Sequence, residues 1–260
     1  MTSEQAMSKQ QTDEPNSTTP TVMVCDDAQT ASLQAAELFA DAIRARPQIV
    51  LGLATGGTPV PMYKQLIRLH REEGLDFSQV RSFNLDEYIG LPPEHPQNFR
   101  VFMQDHLFDH INIPPGNTLV PDGRASDIAA QLVDYEAAIK AAGGIDLQLL
   151  GLGHNGHIAF NEPGSAADSR TRVVELTPET IENNARFFTS MDEVPRTAIT
   201  MGIGTILAAK RIVMLAFGQQ KAAAVHRALQ GEVSTECPAS FLQTHRDVTF
   251  ILDQAAASLL

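Results

Sequence analysis

Apolar residues along the chain fall into two kinds of run that alternate. Short, nearly continuous runs occupy residues 21–25, 49–53, 145–152, 198–203, 212–217 and 248–252, and residues 80–85 read as a further strand. A run that is apolar at every position has cover on both sides, so these read as buried strands. Between them apolar residues recur at helical spacing. Leu33, Ala36, Phe39, Ala40 and Ile43 form one such stripe, and Tyr63, Leu66, Ile67 and His70 another. Phe99, Phe102, Met103 and His106 form a third, and Ile128, Leu132, Tyr135 and Ile139 a fourth, closed by Gly143-Gly144. Thr177-Pro178 is an N-cap followed by a first-turn proline, opening a helix with Asn183, Asn184 and Arg186. Residues 205–210 read as a short helix, and Gly218 opens one running through Val225 and Leu229.

Strands and helices in this alternation predict an α/β fold: a doubly wound, mostly parallel sheet with helices on both faces, Rossmann-like. Residues 1–21 are Ser, Thr, Gln, Glu and Pro with almost nothing apolar, which predicts a disordered tail ahead of a single domain over 22–260. With 260 residues and 43% hydrophobic content, one domain can bury a full core.

The net charge of −12 argues against a nucleic-acid or anionic-membrane partner, since both need a basic footprint. No apolar run is long enough for a membrane span and no secretory signal pattern opens the chain, so the expected location is cytoplasmic. Cys25 and Cys237 stand apart without a CxxC pattern, which suits free thiols in a reducing compartment.

In an open α/β sheet, ligands bind beyond the carboxyl ends of the strands. Four predicted strands end in chemically useful residues. One ends at Thr55-Gly56-Gly57-Thr58-Pro59, where Thr58 is a candidate N-cap and Pro59 a first helical residue. Its glycines let backbone N–H groups approach an anion at a helix start, although a plain strand-to-helix turn has the same composition. A second ends at Asp86-Glu87, a third at Gly153-His154-Asn155-Gly156-His157 followed by Glu162, and a fourth at Gly218 with Lys221 nearby. Together they describe an anion site beside acid and base groups, hence a phosphorylated small molecule. His106 and His110 have the spacing of a metal pair, but no HExxH accompanies them and a solvated helix face is the better reading.

The stretches 52–59, Phe83-Asn84-Leu85-Asp86-Glu87-Tyr88, 151–163, Ser169-Arg170-Thr171-Arg172 and 218–221 closely resemble the glucosamine-6-phosphate deaminases, within the broader family that also holds the 6-phosphogluconolactonases. Lactonases typically have DER in place of Asp86-Glu87-Tyr88 and GHTASLFPG in place of the stretch from Gly156 to Pro163; both stretches match the deaminases. The resemblance implies conversion of glucosamine 6-phosphate and water to fructose 6-phosphate and ammonia, in amino sugar catabolism, with no metal and no cofactor. It assigns ring opening to His157 assisted by Asn155 and Glu162, C2 proton removal to Asp86, and the phosphate to Gly56, Gly57 and Thr58 with Arg186 and Lys221. His154 receives no role.

Competing expectations are a lactonase-type hydrolase and a non-catalytic sugar-phosphate sensor. Ser165 and Arg172 match two residues of the activator site of the hexameric deaminases, but Val174 stands where a lysine is found, and the long C-terminal segment of those enzymes is missing. The expected form is unregulated, a monomer or small homo-oligomer.

Overall fold

The computed structural model describes residues 19–260. Most of the expected tail lies outside the described residues, and Thr21 already belongs to the first strand. The elements in order are β1 (Thr21–Cys25), α1 (Ala28–Ala45), β2 (Val50–Leu53), α2 (Val60–Glu73), β3 (Arg81–Asn84), β4 (Asp86–Tyr88), α3 (Phe99–His106), β5 (Thr118–Leu119), α4 (Ile128–Ala141) and β6 (Leu147–Gly151). They continue with β7 (Arg172–Glu175), α5 (Pro178–Ala185), β8 (Thr197–Thr200), α6 (Ile203–Leu207), β9 (Arg211–Ala216), α7 (Ala222–Gln230) and β10 (Val248–Asp253).

Seven strands form one sheet in the order β1-β10-β9-β6-β2-β3-β5, and its pairings are parallel. Every residue of β2 is buried, and β6, β9 and β10 are nearly so. Because successive side chains point to opposite faces, both faces of the central sheet are covered. β1 at the edge is largely exposed. From β2 the chain winds one way through β3 and β5 and then back through β6, β9 and β10. The direction therefore reverses between β2 and β6, which opens a crevice at their carboxyl ends.

The sequence pattern missed a second sheet. Residues 80–85 do not carry one strand up to Asp86: the chain leaves the large sheet at Leu85. Leu85 still donates to Leu53 O, but its own carbonyl accepts from Met201 N. Asp86 then starts β4 of a three-stranded antiparallel sheet, β4-β8-β7. A separate apolar cluster of Tyr88, Leu91, Phe160, Leu176, Ile181, Val194 and Ala198 ties α5 to this sheet.

Other differences are local. Thr58 does not cap α2; the helix starts at Val60 with Pro59 as its first flank and no side-chain cap. In α1 the buried stripe runs through Ala31, Ala35, Ala36, Phe39, Ala40 and Ile43, and Leu33 is exposed. In α4 only Tyr135 and Ile139 are buried. The strand expected over 198–203 stops at Thr200, because Ile203 already begins α6. Cys25 and Cys237 are buried, free thiols.

Candidate active site

The loop after β6 is compact because glycine makes it so. Gly153 N donates to His157 O and Gly156 N to Gly153 O. A Cβ on Gly153 would lie 2.3 Å from the imidazole of His157, so the ring occupies space only glycine leaves. Gly156 has φ 91°, and Ala159 is left-handed at φ 51°. The loop is then stitched to β8: Phe160 N donates to Thr200 Oγ1 (3.1 Å) and Asn161 Nδ2 to Met201 O (2.9 Å). Thr200 pairs with Asp86 in the small sheet. The histidine loop and Asp86 are thus neighbours through β8, although they follow strands of different sheets.

Asn155 sits between His157 and Glu162. Its Nδ2 donates to Glu162 Oε2 (2.7 Å), and its Oδ1 accepts from His157 Nδ1 (2.7 Å) and His157 N (3.1 Å). A carboxylate can only accept, so the amide nitrogen must face Glu162 and the amide oxygen His157. In the neutral ring the proton then sits on Nδ1 and Nε2 keeps its lone pair. Glu162 Oε2 is also 3.5 Å from His157 Nδ1. Burial alone would raise the Glu162 carboxyl, but His157 in its protonated form, with bonds from Thr180 and Asn155, outweighs it and holds the group at about 2.

Asp86 is 7% exposed. Burial, with a smaller contribution from the charge of Glu87, raises it to about 8. Glu87 points elsewhere. Its carboxyl accepts from the backbone N–H groups of Phe99, Arg100 and Tyr88, capping the start of α3 beside the Asn98 N-cap. Burial still outweighs those bonds and raises Glu87 to about 7.

Lys221, in the turn after β9, donates to Leu152 O at 2.7 Å. Burial lowers its ammonium, and the charge of Arg186 lowers it further. Arg186, at the end of α5, lies over the Phe187 ring at 4.6 Å. Among the described residues neither is in an ion pair. Gly56, Gly57 and Thr58 follow β2 on the same edge of the sheet, with the two glycines exposed. Tyr63 OH donates to Ala54 O (2.6 Å) and holds the start of that loop.

Sequence reasoning took only Arg186 from α5 and overlooked the helix's other contributions to this site. Thr180 Oγ1 donates to Glu162 Oε1. Asn184 Nδ2 donates to Tyr88 OH (2.9 Å). His154 is exposed and pairs with Glu179 Oε1 (2.7 Å), so it does tie α5 to the loop. The motif T-P-E-T signals only a helix start, and nothing in it announces these partners. Ser165 and Arg172 bond to one another (3.1 Å), and Arg172 also holds Asn161 Oδ1 (2.8 Å). His110 bonds to Asp105 O and contacts Arg71, and no cluster of metal-ligating residues occurs among the described residues.

Residues 26–251 match the family model for glucosamine-6-phosphate isomerases/6-phosphogluconolactonase. The chain belongs to this family. Among its curated relatives, a glucosamine-6-phosphate deaminase of Clostridium perfringens is 54% identical over 92% of this chain and 99% of its own length. Glucosamine-6-phosphate deaminase 1 of Giardia intestinalis is 52% identical over 88% of this chain and 86% of its own. The solved structure of a monomeric glucosamine-6-phosphate deaminase superposes with a TM-score of 0.90 at 48% identity, over 92% of this chain and all of that one. A 6-phosphogluconolactonase from Trypanosoma cruzi, at 23% identity and TM-score 0.74, shares the fold. Within the family, the deaminases are therefore the group this chain resembles along nearly its whole length.

Proposed function

We propose that this protein is a glucosamine-6-phosphate deaminase, converting glucosamine 6-phosphate and water to fructose 6-phosphate and ammonia. The backbone of Gly56, Gly57 and Thr58, with Arg186 and Lys221, binds the phosphate. His157 Nε2, with its lone pair free, takes the anomeric hydroxyl proton and returns it to the ring oxygen, which opens the sugar. Asn155 holds the tautomer, and Glu162 stabilises the imidazolium formed in passing.

Asp86 then removes the C2 proton and C1 is reprotonated, giving a ketimine. Water adds at C2 and ammonia leaves. A carboxyl raised by burial is a stronger base once ionised, and the ammonium form of the substrate amine beside it favours that ionisation. The observation that carries the reading over a lactonase is Glu162, which the lactonase stretch lacks and which here is held by Asn155 and Thr180 beside His157.

Deaminase relatives at 51–54% identity over 92% of the chain support the same choice. A monomeric relative supports a chain that works without partner subunits, and the charge of −12 supports a small-molecule substrate rather than nucleic acid. Among the described residues no helix is long and apolar enough to cross a membrane; a cytoplasmic location is part of the proposal. The test is ammonia release from glucosamine 6-phosphate. Silence there, with rapid opening of 6-phosphogluconolactone, would replace this reading with the lactonase one.

A further inference from the structure

Glu162 is held from two sides by donors of different origin. Asn155, in its own loop, donates to Oε2. Thr180, in α5, donates to Oε1 at 2.5 Å. The direction of the second bond is fixed. Thr177 Oγ1 lies 3.0 Å from Thr180 Oγ1 and also caps the helix by accepting from Thr180 N (3.2 Å). The hydroxyl of Thr177 donates to Thr180, and the single proton of Thr180 goes to the carboxylate, which cannot donate. The start of α5 adds its partial positive charge on the same side. α5 is itself fixed at two further points, by Glu179 to His154 and by Asn184 to Tyr88. The charged or titratable groups facing Glu162 and its neighbours are His157, at 3.5 Å, and the His154–Glu179 pair, whose histidine ring is 6.1 Å from that of His157.

We propose that Thr180 is a positioning residue for ring opening: its hydroxyl, aimed by Thr177, holds the Glu162 carboxylate in the orientation that supports His157 as His157 takes up the proton. The inference rests on the deaminase reading, in which His157 and Glu162 open the sugar. Without the hydroxyl, Oε1 has no donor on the α5 side. The carboxylate is then free to turn away from His157, and the imidazolium loses its stabilising charge at the moment it forms. Binding of the phosphate and of the sugar ring is untouched, because Thr180 reaches the substrate only through Glu162.

The experiment compares Thr180→Val, which keeps the branched shape and removes the hydroxyl, with Thr180→Ser, which keeps the hydroxyl and removes a methyl. Both are assayed for ammonia release from glucosamine 6-phosphate beside the unsubstituted protein, with thermal midpoints recorded. The valine variant should lose roughly ten- to hundredfold in kcat with KM changed by no more than about twofold, the scale of one hydrogen bond to a charged group. The serine variant should recover most of that rate. If the valine variant does not fold, Thr180→Ala serves in its place with the same expectation. Unchanged kcat, a loss mainly in KM, or a serine variant as slow as the valine one would overturn the role of Thr180 while leaving the deaminase reading intact. No ammonia from the unsubstituted protein would overturn the reading, and the inference with it.

Discussion

Burial lowers the Lys221 ammonium and the charge of Arg186 lowers it further, and among the described residues neither cation is in an ion pair. The two stand on separate elements, one after β9 and one at the end of α5. An anion between them removes the repulsion and gains two charge-assisted contacts. Lys221→Ala should therefore raise KM for glucosamine 6-phosphate roughly ten- to hundredfold, and that for unphosphorylated glucosamine by less than about threefold. Inorganic phosphate should raise the thermal midpoint of the unsubstituted protein by a few degrees and that of the variant much less. Equal effects on both sugars would remove Lys221 from the phosphate site.

If Asp86 is the proposed C2 base, it couples activity to stability. Its carboxyl is raised to about 8 by burial and by Glu87. A group raised in the fold stabilises it fully below the unfolded pKa, and the contribution is lost as pH rises through the folded value. The native protein should lose stability between about pH 4 and 8 on this account, with Glu87, raised to about 7, acting in the same direction. Asp86→Asn has no charge to bury. Its thermal midpoint should exceed that of the unsubstituted protein by a margin that grows over the same window. The variant should bind substrate and fail to exchange the C2 proton with solvent. Normal exchange would sink the role of Asp86, and a constant midpoint difference would sink the account of its environment.

Much of this site was legible because the parallel sheet was legible. The continuous apolar runs at β2, β6, β9 and β10 are covered on both faces, and that burial writes itself into sequence at every position. The residues at their carboxyl ends could then be grouped by topology alone. The small sheet left no such mark. β4 has three residues, the burial of β7 alternates, and both pair with β8 from far along the chain. Asp86 was therefore placed at the end of β3, although it begins β4 and reaches the histidine loop through Thr200. The same gap hid where α5 packs against the loop. His154 drew no role because its partner, Glu179, lies on a helix whose place against the loop depends on Tyr88, Phe160 and Ile181 packing under that sheet.

His157 does most to keep Glu162 ionised, with Thr180 next, and Asn155 adds a donor on the Oε2 side. Asn155→Asp replaces that donor with a second acceptor, so two carboxylates meet where one amide now stands. They must share a proton or repel, and Glu162 rises from about 2. The acid limb of the kcat profile should move upward by at least about one pH unit, with the rate at pH 8 less affected than the rate at pH 5. Profiles that superimpose would show that Glu162 does not govern the acid limb.

Gly153 isolates the geometry of the histidine from everything else in the site. A methyl there would lie 2.3 Å from the His157 ring, too close for any rotamer of the ring to remain where it is. Yet Gly153 has ordinary backbone geometry, unlike Gly156, so alanine adds the collision without a dihedral penalty. In Gly153→Ala the imidazole must swing away, breaking the Nδ1 bond to Asn155 and carrying Nε2 off its target. A displacement of about 1 Å at a reacting atom costs on the order of a hundredfold, so kcat should fall by at least that factor. Lys221 and Arg186 are anchored by Leu152 O and α5, not by the ring. The thermal shift produced by inorganic phosphate should therefore persist in this variant although turnover is lost. If the phosphate shift vanished together with kcat, the loop would have collapsed as a whole, and ring placement would not be the reason for Gly153.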